Sequence, residues 1–168
     1  MTDTVKMKND SSFSLGNLIT ARNMSFVVLI VAILISGYLS YLKFENVQAQ
    51  CSTTGSFDCG AVLNSIYSEV GGVPIAYLGL ITNFVVVALL LAEPRISFFK
   101  EYGPVLIFGV VLFAFLFSMY LIYIQAVVIL KFCPYCLTHE ALITVLFALS
   151  GWRFWQWLNR DFADEYDD

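Results

Sequence analysis

Four cysteines, arranged as two pairs, are the residues of this 168-residue chain whose type and spacing favour a reaction. Cys133 and Cys136 form a Cys-Pro-Tyr-Cys sequence at the start of a long apolar run, with His139 and Glu140 one turn later. A helix N-terminus carries partial positive charge and stabilises a thiolate, the species that attacks disulfides. Pro134 suits a first helical turn, and residues three apart share a helix face. The spacing therefore predicts a pair that opens and closes a disulfide.

The second pair, Cys51 and Cys59, encloses a Ser/Thr/Gly-rich loop. Taken alone it suits a structural bridge equally well. Beside Cys133 and Cys136 it suggests a relay, in which the loop pair meets a soluble partner and the other pair meets a lipid-soluble one. Two alternatives remain: structural disulfides, and a zinc site formed by the four thiolates or by three of them with His139. A Cys-x-x-Cys loop is too short to be an effective structural bridge, which favours a redox pair. Zinc usually stabilises small soluble folds, so we predict no metal.

Membrane-spanning helices must position these cysteines. The chain is 59% hydrophobic and only 13% charged, against about 25% charged in soluble domains. Four runs reach the roughly 20 residues that cross a bilayer. We predict an all-α membrane protein, a four-transmembrane-helix bundle occupying residues 22–158. Its predicted spans lie at about 24–42, 74–92, 104–130 and 133–152, with an outer redox loop at 44–73.

The first span has one alternative. Val47-Gln-Ala49 weakly resembles a signal-peptide cleavage site. The apolar run before it exceeds the roughly 7–15 residues of a signal core, which favours a retained span.

The outer loop itself is predicted to contain a short amphipathic helix on the membrane surface. The helix would start near Cys59 with Asp58 or Ser56 as its cap and end at Gly71-Gly72. Its apolar residues recur at helical spacing and are Val62, Leu63, Ile66, Tyr67 and Val70.

The distribution of positive charge predicts the orientation of the spans. Four spans place both termini on one side, which holds seven of the nine Lys and Arg residues, while Lys43 and Lys131 lie on the other. The positive-inside rule therefore puts both termini in the cytoplasm and all four cysteines on the oxidising side.

The two ends of the chain are predicted to lie outside the bundle. Residues 1–21 are expected as a disordered or surface-lying cytoplasmic tail, and 159–168 as an acidic cytoplasmic tail. The chain lacks a basic stripe, which excludes nucleic acid as a partner.

Glu140 is the one acidic residue within the predicted fourth span. An ionisable residue inside a membrane segment indicates function by default. Glu140 or His139 can donate protons to a reduced acceptor or hydrogen-bond its carbonyl. The alternative is that Glu140 pairs with a polar group such as Gln125, Tyr123 or Lys131.

This pattern resembles the vitamin K epoxide reductase family, and most of all its prokaryotic members. The shared features are four spans, Cys51-x7-Cys59 in the outer loop, and Cys133-Pro-Tyr-Cys136 opening the last span. Ser65, six residues after Cys59, matches a Ser or Thr of the family. Pro74-Ile-Ala-Tyr-Leu-Gly79 is similar to the family's second-span start. The resemblance covers residues 23–157.

The resemblance implies a four-helix bundle around a membrane quinone, such as ubiquinone or menaquinone, capped by the loop helix. A thioredoxin-like partner would give electrons to Cys51, and Cys59 would exchange with Cys133. Cys136, nearest the quinone, would deliver the electrons. The resting disulfide is either Cys51–Cys59 or Cys59–Cys133, and the sequence does not decide between them.

The predicted quinone contacts are Ser65, which by analogy helps to hold the quinone, together with Leu63, His139 and Glu140. Animal members of the family carry a tyrosine seven residues after the first cysteine of the pair, where this chain has Glu140. Many bacterial members carry a fused thioredoxin-like domain, whereas this chain ends in an acidic tail, so a partner in trans is expected.

We therefore expect a multi-pass cell-membrane thiol-disulfide oxidoreductase. It would oxidise a thioredoxin-like protein, reduce a membrane quinone and support disulfide formation outside the cytoplasm. The alternatives are a vitamin K quinone or epoxide reductase, and a non-enzymatic four-span scaffold with structural disulfides.

Overall fold

The computed structural model describes the backbone of residues 2–45 and 56–165, and the side chains of 20–45, 56–96, 98–99 and 102–159. Helices dominate these parts of the chain. In chain order the elements are α1 (Thr2–Glu45), α2 (Cys59–Leu63), β1 (Glu69–Val70), β2 (Val73–Pro74), α3 (Ile75–Ala92), α4 (Ser97–Tyr123) and α5 (Pro134–Glu165). A 3-10 turn at Ile66–Ser68 follows α2, and a π-helical turn at Ile124–Ile129 extends α4.

Three helical segments are long and apolar enough to cross a membrane, namely Thr20–Glu45, Ile75–Ala92 and Tyr102–Ile129. They contain nearly all of the first three predicted spans. In the described part of the chain α5 does not reach the same apolarity, because Thr138, His139 and Glu140 interrupt its apolar stretch. The fourth span thus remains a prediction.

The N-terminal segment differs from its prediction. Residues 2–21, expected as a disordered or surface-lying tail, continue α1 as one helix from Thr2. Once a span is helical, each added residue gains a hydrogen bond without a new nucleation cost. Residues 2–21 contain one glycine and no proline, so nothing in their composition ends the helix.

The four long helices close into a bundle in which α1 packs against α3 and α5, and α4 packs against the same two helices. Every long helix contributes to one apolar core. Its buried members are Leu29, Val86, Leu90, Ile107, Val111, Ile143 and Leu146. Burial of such side chains contributes roughly 1.5–3 kcal/mol each in water, and in lipid the same interdigitation acts through packing.

One end of the bundle is closed by aromatic stacking and an ion pair. Phe108 stacks on Phe147 and Phe154, with ring centroids 5.7 and 4.8 Å apart. Beside them, Arg153 Nη2 donates to both carboxylate oxygens of Glu93, at 2.6 and 2.7 Å. We call this region the closed end. It joins the end of α3 to α5.

The opposite end is covered by residues 56–74, which we call the cap. Asp58 caps α2 by accepting a hydrogen bond from the backbone N–H of Ala61 at 3.0 Å, so the predicted helix start and cap are present. The helix is only five residues long, however, and Ile66 is 84% exposed. The single amphipathic helix predicted to run through Val70 is therefore wrong.

A short hairpin replaces the end of that predicted helix. β1 and β2 pair antiparallel, with Val70 opposite Val73. Gly71 and Gly72 form the turn with φ of 60° and 82°, a conformation that glycine adopts without steric cost. The two glycines end the predicted helix as expected, but they do so inside a hairpin.

Candidate active site

A backbone bridge sets the cap against the start of α5. The N–H of Asp58 donates to the carbonyl of Phe132 at 3.0 Å, and the N–H of Phe132 donates to the carbonyl of Ser56 at 2.9 Å. Phe57 and Phe132 thereby pair as an isolated parallel bridge. Cys59 follows this bridge by two residues and Cys133 by one, so the bridge carries both cysteines to the same place.

Cys59 and Cys133 lie in one buried cluster with Val62, and both are 0% exposed. Cys59 is disulfide-bonded, whereas Cys133 and Cys136 are free thiols. Of the two resting bridges predicted, Cys59–Cys133 is therefore absent from this structure. Cys51 lies outside the described residues.

The Cys133 sulfur is held by polar groups despite its burial. The backbone N–H of Cys136 donates to Cys133 Sγ at 3.4 Å, and the N–H of Cys133 itself donates to Gln125 Oε1 at 3.1 Å. The Cys133 sulfur thus accepts a hydrogen bond at the start of α5, where the N-terminus of a helix favours a thiolate. Cys133 is thus suited to act as the attacking or receiving sulfur in exchange.

The π-helical turn positions Gln125 for this contact. Ile124–Ile129 widens the end of α4, and Leu130 follows with a left-handed backbone, φ 56° and ψ 26°. A π-helical turn is rare in any sequence, and a left-handed backbone is uncommon for residues other than glycine. Both features concentrate at functional sites. Together they turn the chain from α4 into the bridge at Phe132.

A cavity of about 390 Å³ opens inside the bundle beneath the cap. It is in the usual size range of small-molecule sites. All four predicted quinone contacts line it, together with Cys136: they are Leu63, Ser65, His139 and Glu140. Cys133 and Cys59 do not line it. The Cys-x-x-Cys pair therefore places one sulfur toward the cap cysteine and the other toward the cavity.

Ser65 lines the cavity, but its hydroxyl is already engaged. Ser65 Oγ donates to the carbonyl of Val62 at 2.9 Å and so closes the end of α2. Only its lone pairs remain for a ligand. Ser65 therefore shapes the cap wall more than it donates hydrogen bonds.

A buried polar chain crosses the cavity wall from α1 to α5. Ser36 Oγ donates to the carbonyl of Ala32 at 2.8 Å, so it must accept from Asn83 Nδ2 at 3.2 Å. Asn83 Nδ2 also lies 3.1 Å from His139 Nε2. Because Ser36 fixes which end of the amide is the donor, Nε2 is the acceptor and the His139 proton resides on Nδ1.

Asn83 is the main site residue that the sequence did not single out. It is 1% exposed and lines the cavity. The available signal was an amide within an otherwise apolar span, which marks a functional position in membrane segments. Ser36 gave a weaker signal, because serine is common in membrane helices and often bonds only its own helix.

Glu140 pairs with a polar group, as one of its two predicted alternatives has it, but the group is not one of those named. The Ser118 side chain is its hydrogen-bond partner, a residue of α4 that sequence reasoning missed, while Gln125 is engaged with Cys133. Glu140 is 5% exposed, and its Oε2 has no hydrogen-bond partner within the described residues. An unpaired carboxylate oxygen at a cavity wall is a polar atom available to a ligand.

Lys43 fastens the cap to α1 at the cavity rim. Its Nζ donates to the carbonyl of Leu63 at 3.0 Å and lies 3.2 Å from Glu69 Oε1. Ser68 Oγ is 3.5 Å away. One lysine thus contacts α2, the 3-10 turn and the hairpin.

Within residues 2–45 and 56–165, no three His, Cys, Asp or Glu side chains gather as metal ligands. The position of the cysteines beside the cavity suits thiol-disulfide exchange next to an apolar ligand site.

The chain is similar to known proteins over most of its length. Residues 24–151 match the Vitamin K epoxide reductase family. The chain is also 37% identical to the thiol-disulfide oxidoreductase LTO1 of Arabidopsis thaliana over 120 residues, which is 68% of this chain and 32% of that protein. The chain thus spans about a third of the relative it matches.

The family match covers all of α3 and α4, about half of α1 and of α5, the cap and the cavity. The apolar helices indicate a multi-pass membrane protein. This multi-pass membrane chain, in which Cys133 packs with Cys59 while Cys136 lines an apolar cavity, belongs to the vitamin K epoxide reductase family.

Proposed function

We propose that this chain passes electrons from a thioredoxin-like dithiol protein to a membrane quinone through its four cysteines, and so supports disulfide formation outside the cytoplasm. The observation that carries the proposal is that the two cysteines of the Cys-x-x-Cys pair face different surroundings. Cys133 packs with Cys59, while Cys136 lines the cavity. A sulfur facing each reaction partner is what a relay requires.

The first half of the relay is two disulfide exchanges. The partner dithiol reduces the Cys51–Cys59 bridge and leaves with its own disulfide. The Cys59 thiolate then attacks Cys133 of an oxidised Cys133–Cys136 pair, releasing the Cys136 thiolate. Cys51 next attacks Cys59, restoring the Cys51–Cys59 disulfide and freeing Cys133. Two electrons and two protons have then moved to Cys133 and Cys136.

The cavity residues fit a quinone. The volume of about 390 Å³ suits a ring headgroup, and the wall is mostly apolar, with Leu63 and Phe117 among its residues. Polar side chains also line it, among them those of His139, Glu140 and Asn83. A bound quinone supplies an acceptor for two electrons and two protons.

The chain's own residues would then orient that acceptor. His139, held through Asn83, presents its Nδ1–H as a fixed donor. Leu63 and Ser65 close the wall on the cap side. Cys133 and Cys136 re-form their disulfide as the acceptor is reduced, and the net reaction converts one dithiol and one quinone into one disulfide and one quinol.

The proposed topology has four spans. α5 serves as the fourth span, since it packs against both α1 and α4 along the bundle. Both termini would lie in the cytoplasm, with the cap and cavity on the outer side. The closed end, with Arg153 and Glu93, would then face the cytoplasm, which agrees with the excess of positive charge there.

The test is quinone reduction by the purified full-length chain, using reduced thioredoxin as donor and decylubiquinone or a short-chain menaquinone as acceptor. We expect Cys136→Ser and Cys133→Ser each to fall to the uncatalysed rate. Cys136→Ser should also accumulate a Cys59–Cys133 disulfide, because the sulfur that would resolve it is gone. Peptide mass spectrometry detects that bridge.

The two serine variants control for each other, since only Cys136→Ser leaves Cys133 free to trap Cys59. Full quinone reduction by both variants would contradict the relay. If the chain reduces vitamin K epoxide but neither quinone, the alternative function as a vitamin K epoxide reductase is supported. Reduction potentials below about −300 mV for both cysteine pairs would instead support structural disulfides, because such bridges resist reduction.

A further inference from the structure

Quinone reduction moves protons as well as electrons, and the cavity wall contains few groups that can carry them. The titratable lining residues are Lys43 from α1, Tyr67 from the cap, and Cys136, His139 and Glu140 from α5; α3 and α4 contribute none to the described wall. Lys43 is engaged with the cap through Leu63 and Glu69. The candidates nearest the redox sulfur are those on α5.

His139 is a poor proton source in this arrangement. The order of hydrogen bonds from Ser36 through Asn83 leaves His139 neutral, with Nε2 as acceptor and the proton on Nδ1. A neutral imidazole donates hydrogen bonds but does not readily give up its last proton. His139 therefore orients an acceptor, and another group must supply the proton.

Glu140 has the position and the free atom for that role. It stands four residues after Cys136 on the same helix face and interacts electrostatically with the Cys136 thiol. Ser118 is its hydrogen-bond partner, and Oε2 has none within the described residues. An ionised carboxylate with an unpaired oxygen is costly to bury, whereas a carboxylic acid carries a proton it can transfer.

We propose that Glu140 is the proton shuttle of the acceptor half-reaction, moving a proton from the Cys136 thiol to the carbonyl oxygen of the bound quinone. Atoms and electrons balance in this step. Two thiols lose two electrons and form the Cys133–Cys136 disulfide, and the quinone gains them. The Cys136 proton reaches one quinone oxygen through the Glu140 carboxyl, and the Cys133 proton is the second. This role rests on the proposed function of the site.

The kinetic test compares Glu140→Gln with Glu140→Asp. Glutamine keeps the size and the hydrogen bonds of the side chain but cannot transfer a proton, so we expect kcat to fall at least tenfold, with KM for decylubiquinone changed less than threefold. Aspartate should recover part of kcat. The matched control is Glu45→Gln, an exposed glutamate at the end of α1, which should leave kcat unchanged.

An infrared measurement tests the same contact without turnover. In the full-length Cys133→Ser/Cys136→Ser chain, decylubiquinone binding should shift a carboxylic acid C=O band that is sensitive to D₂O. The band should be absent when Glu140→Gln is added and moved in frequency by Glu140→Asp. Since the parent spectrum needs no substitution at position 140, a folding defect of Glu140→Gln does not remove the test.

Wild-type kcat in Glu140→Gln, or a carboxylic acid band that does not respond to the quinone, would overturn the shuttle. Failure of the relay itself looks different. In that case Cys136→Ser also retains quinone reduction. Loss of activity in Cys136→Ser together with full activity in Glu140→Gln would refute only the shuttle.

Discussion

The cavity end and the closed end of this bundle are built from the same four helices in opposite ways. At the closed end the aromatic rings stack and the buried charge of Arg153 faces Glu93. At the cavity end two thiols are free, Oε2 of Glu140 has no described partner, and Leu130 adopts a left-handed backbone. At the closed end a cation is thus paired with an anion, although Arg153 Nε has no hydrogen-bond partner within the described residues, whereas at the cavity end the thiols and a carboxylate oxygen are left available.

The difference indicates which parts of the bundle contribute most to its stability and which contribute less. Functional sites retain strained backbone and unpaired polar atoms only when surrounding structure fixes them. Here the shared core around Leu29, Val86 and Leu90 lies between the two ends, and all four long helices contribute to it. We infer that the closed end and core hold the bundle, so that the cap and cavity can exchange bonds during turnover.

The largest effect on stability is expected at the closed end. Arg153→Met leaves the partly buried Glu93 carboxylate without its partner and should destabilise the fold by up to about 3–5 kcal/mol, the cost of breaking a buried pair. Thermal unfolding of the purified chain in detergent measures the loss. Arg95→Met, at an exposed arginine of the same turn, is the control and should have little effect.

Quinone reduction per folded molecule should be unchanged in Arg153→Met, because the cavity lies at the other end. A double variant, Arg153→Met/Glu93→Gln, should regain part of the lost stability, since it removes the unpaired charge. A fall in activity per folded molecule, with stability intact, would show that the two ends are not separable as described.

Two leucine truncations should separate the core from the cap. Leu90→Ala removes a fully buried core side chain and should cost about 2–5 kcal/mol, with the KM for quinone unchanged. Leu63→Ala opens the cavity wall, so we expect a smaller loss of stability and a several-fold rise in KM. Unfolding curves and quinone titrations measure the two effects. The reverse pattern would contradict the division.

The smallest effect on stability is expected at the cap fastening. Lys43→Met removes the hydrogen bond to Leu63 and the ion pair with Glu69, and should cost at most about 1 kcal/mol. Local opening should rise more clearly, as faster amide hydrogen exchange over residues 59–74. Glu69→Gln keeps the bond to Leu63 and should have the weaker effect of the two. Equal exchange rates in Lys43→Met and wild type would show that Lys43 does not hold the cap.

Much of this architecture follows from local sequence signals. The apolar runs predict the three apolar helices, Asp58 predicts the start of α2, and Pro134 predicts the first turn of α5. The prediction of the cavity-facing residues came from the resemblance and from one ionisable residue in an apolar run. These signals act over a few residues, which is why a single sequence reveals them.

The remaining features depend on contacts between distant parts of the chain. The bridge between Phe57 and Phe132 joins segments 75 residues apart, and the hydrogen bond between Asn83 and Ser36 joins two helices. Periodicity could not place Ser118 beside Glu140, because serine is unremarkable within α4. The predicted amphipathic helix failed because its apolar spacing also fits a 3-10 turn followed by a hairpin.

The π-helical turn at Ile124–Ile129 bears on how this chain can change over evolutionary time. A π turn holds one residue more than an α turn. Losing one residue there would let α4 wind regularly and rotate the segment after it by about 100°, taking Gln125 away from the Cys133 N–H. We expect this stretch to resist changes of length, while the exposed Val127 and Val128 remain free to drift among apolar residues.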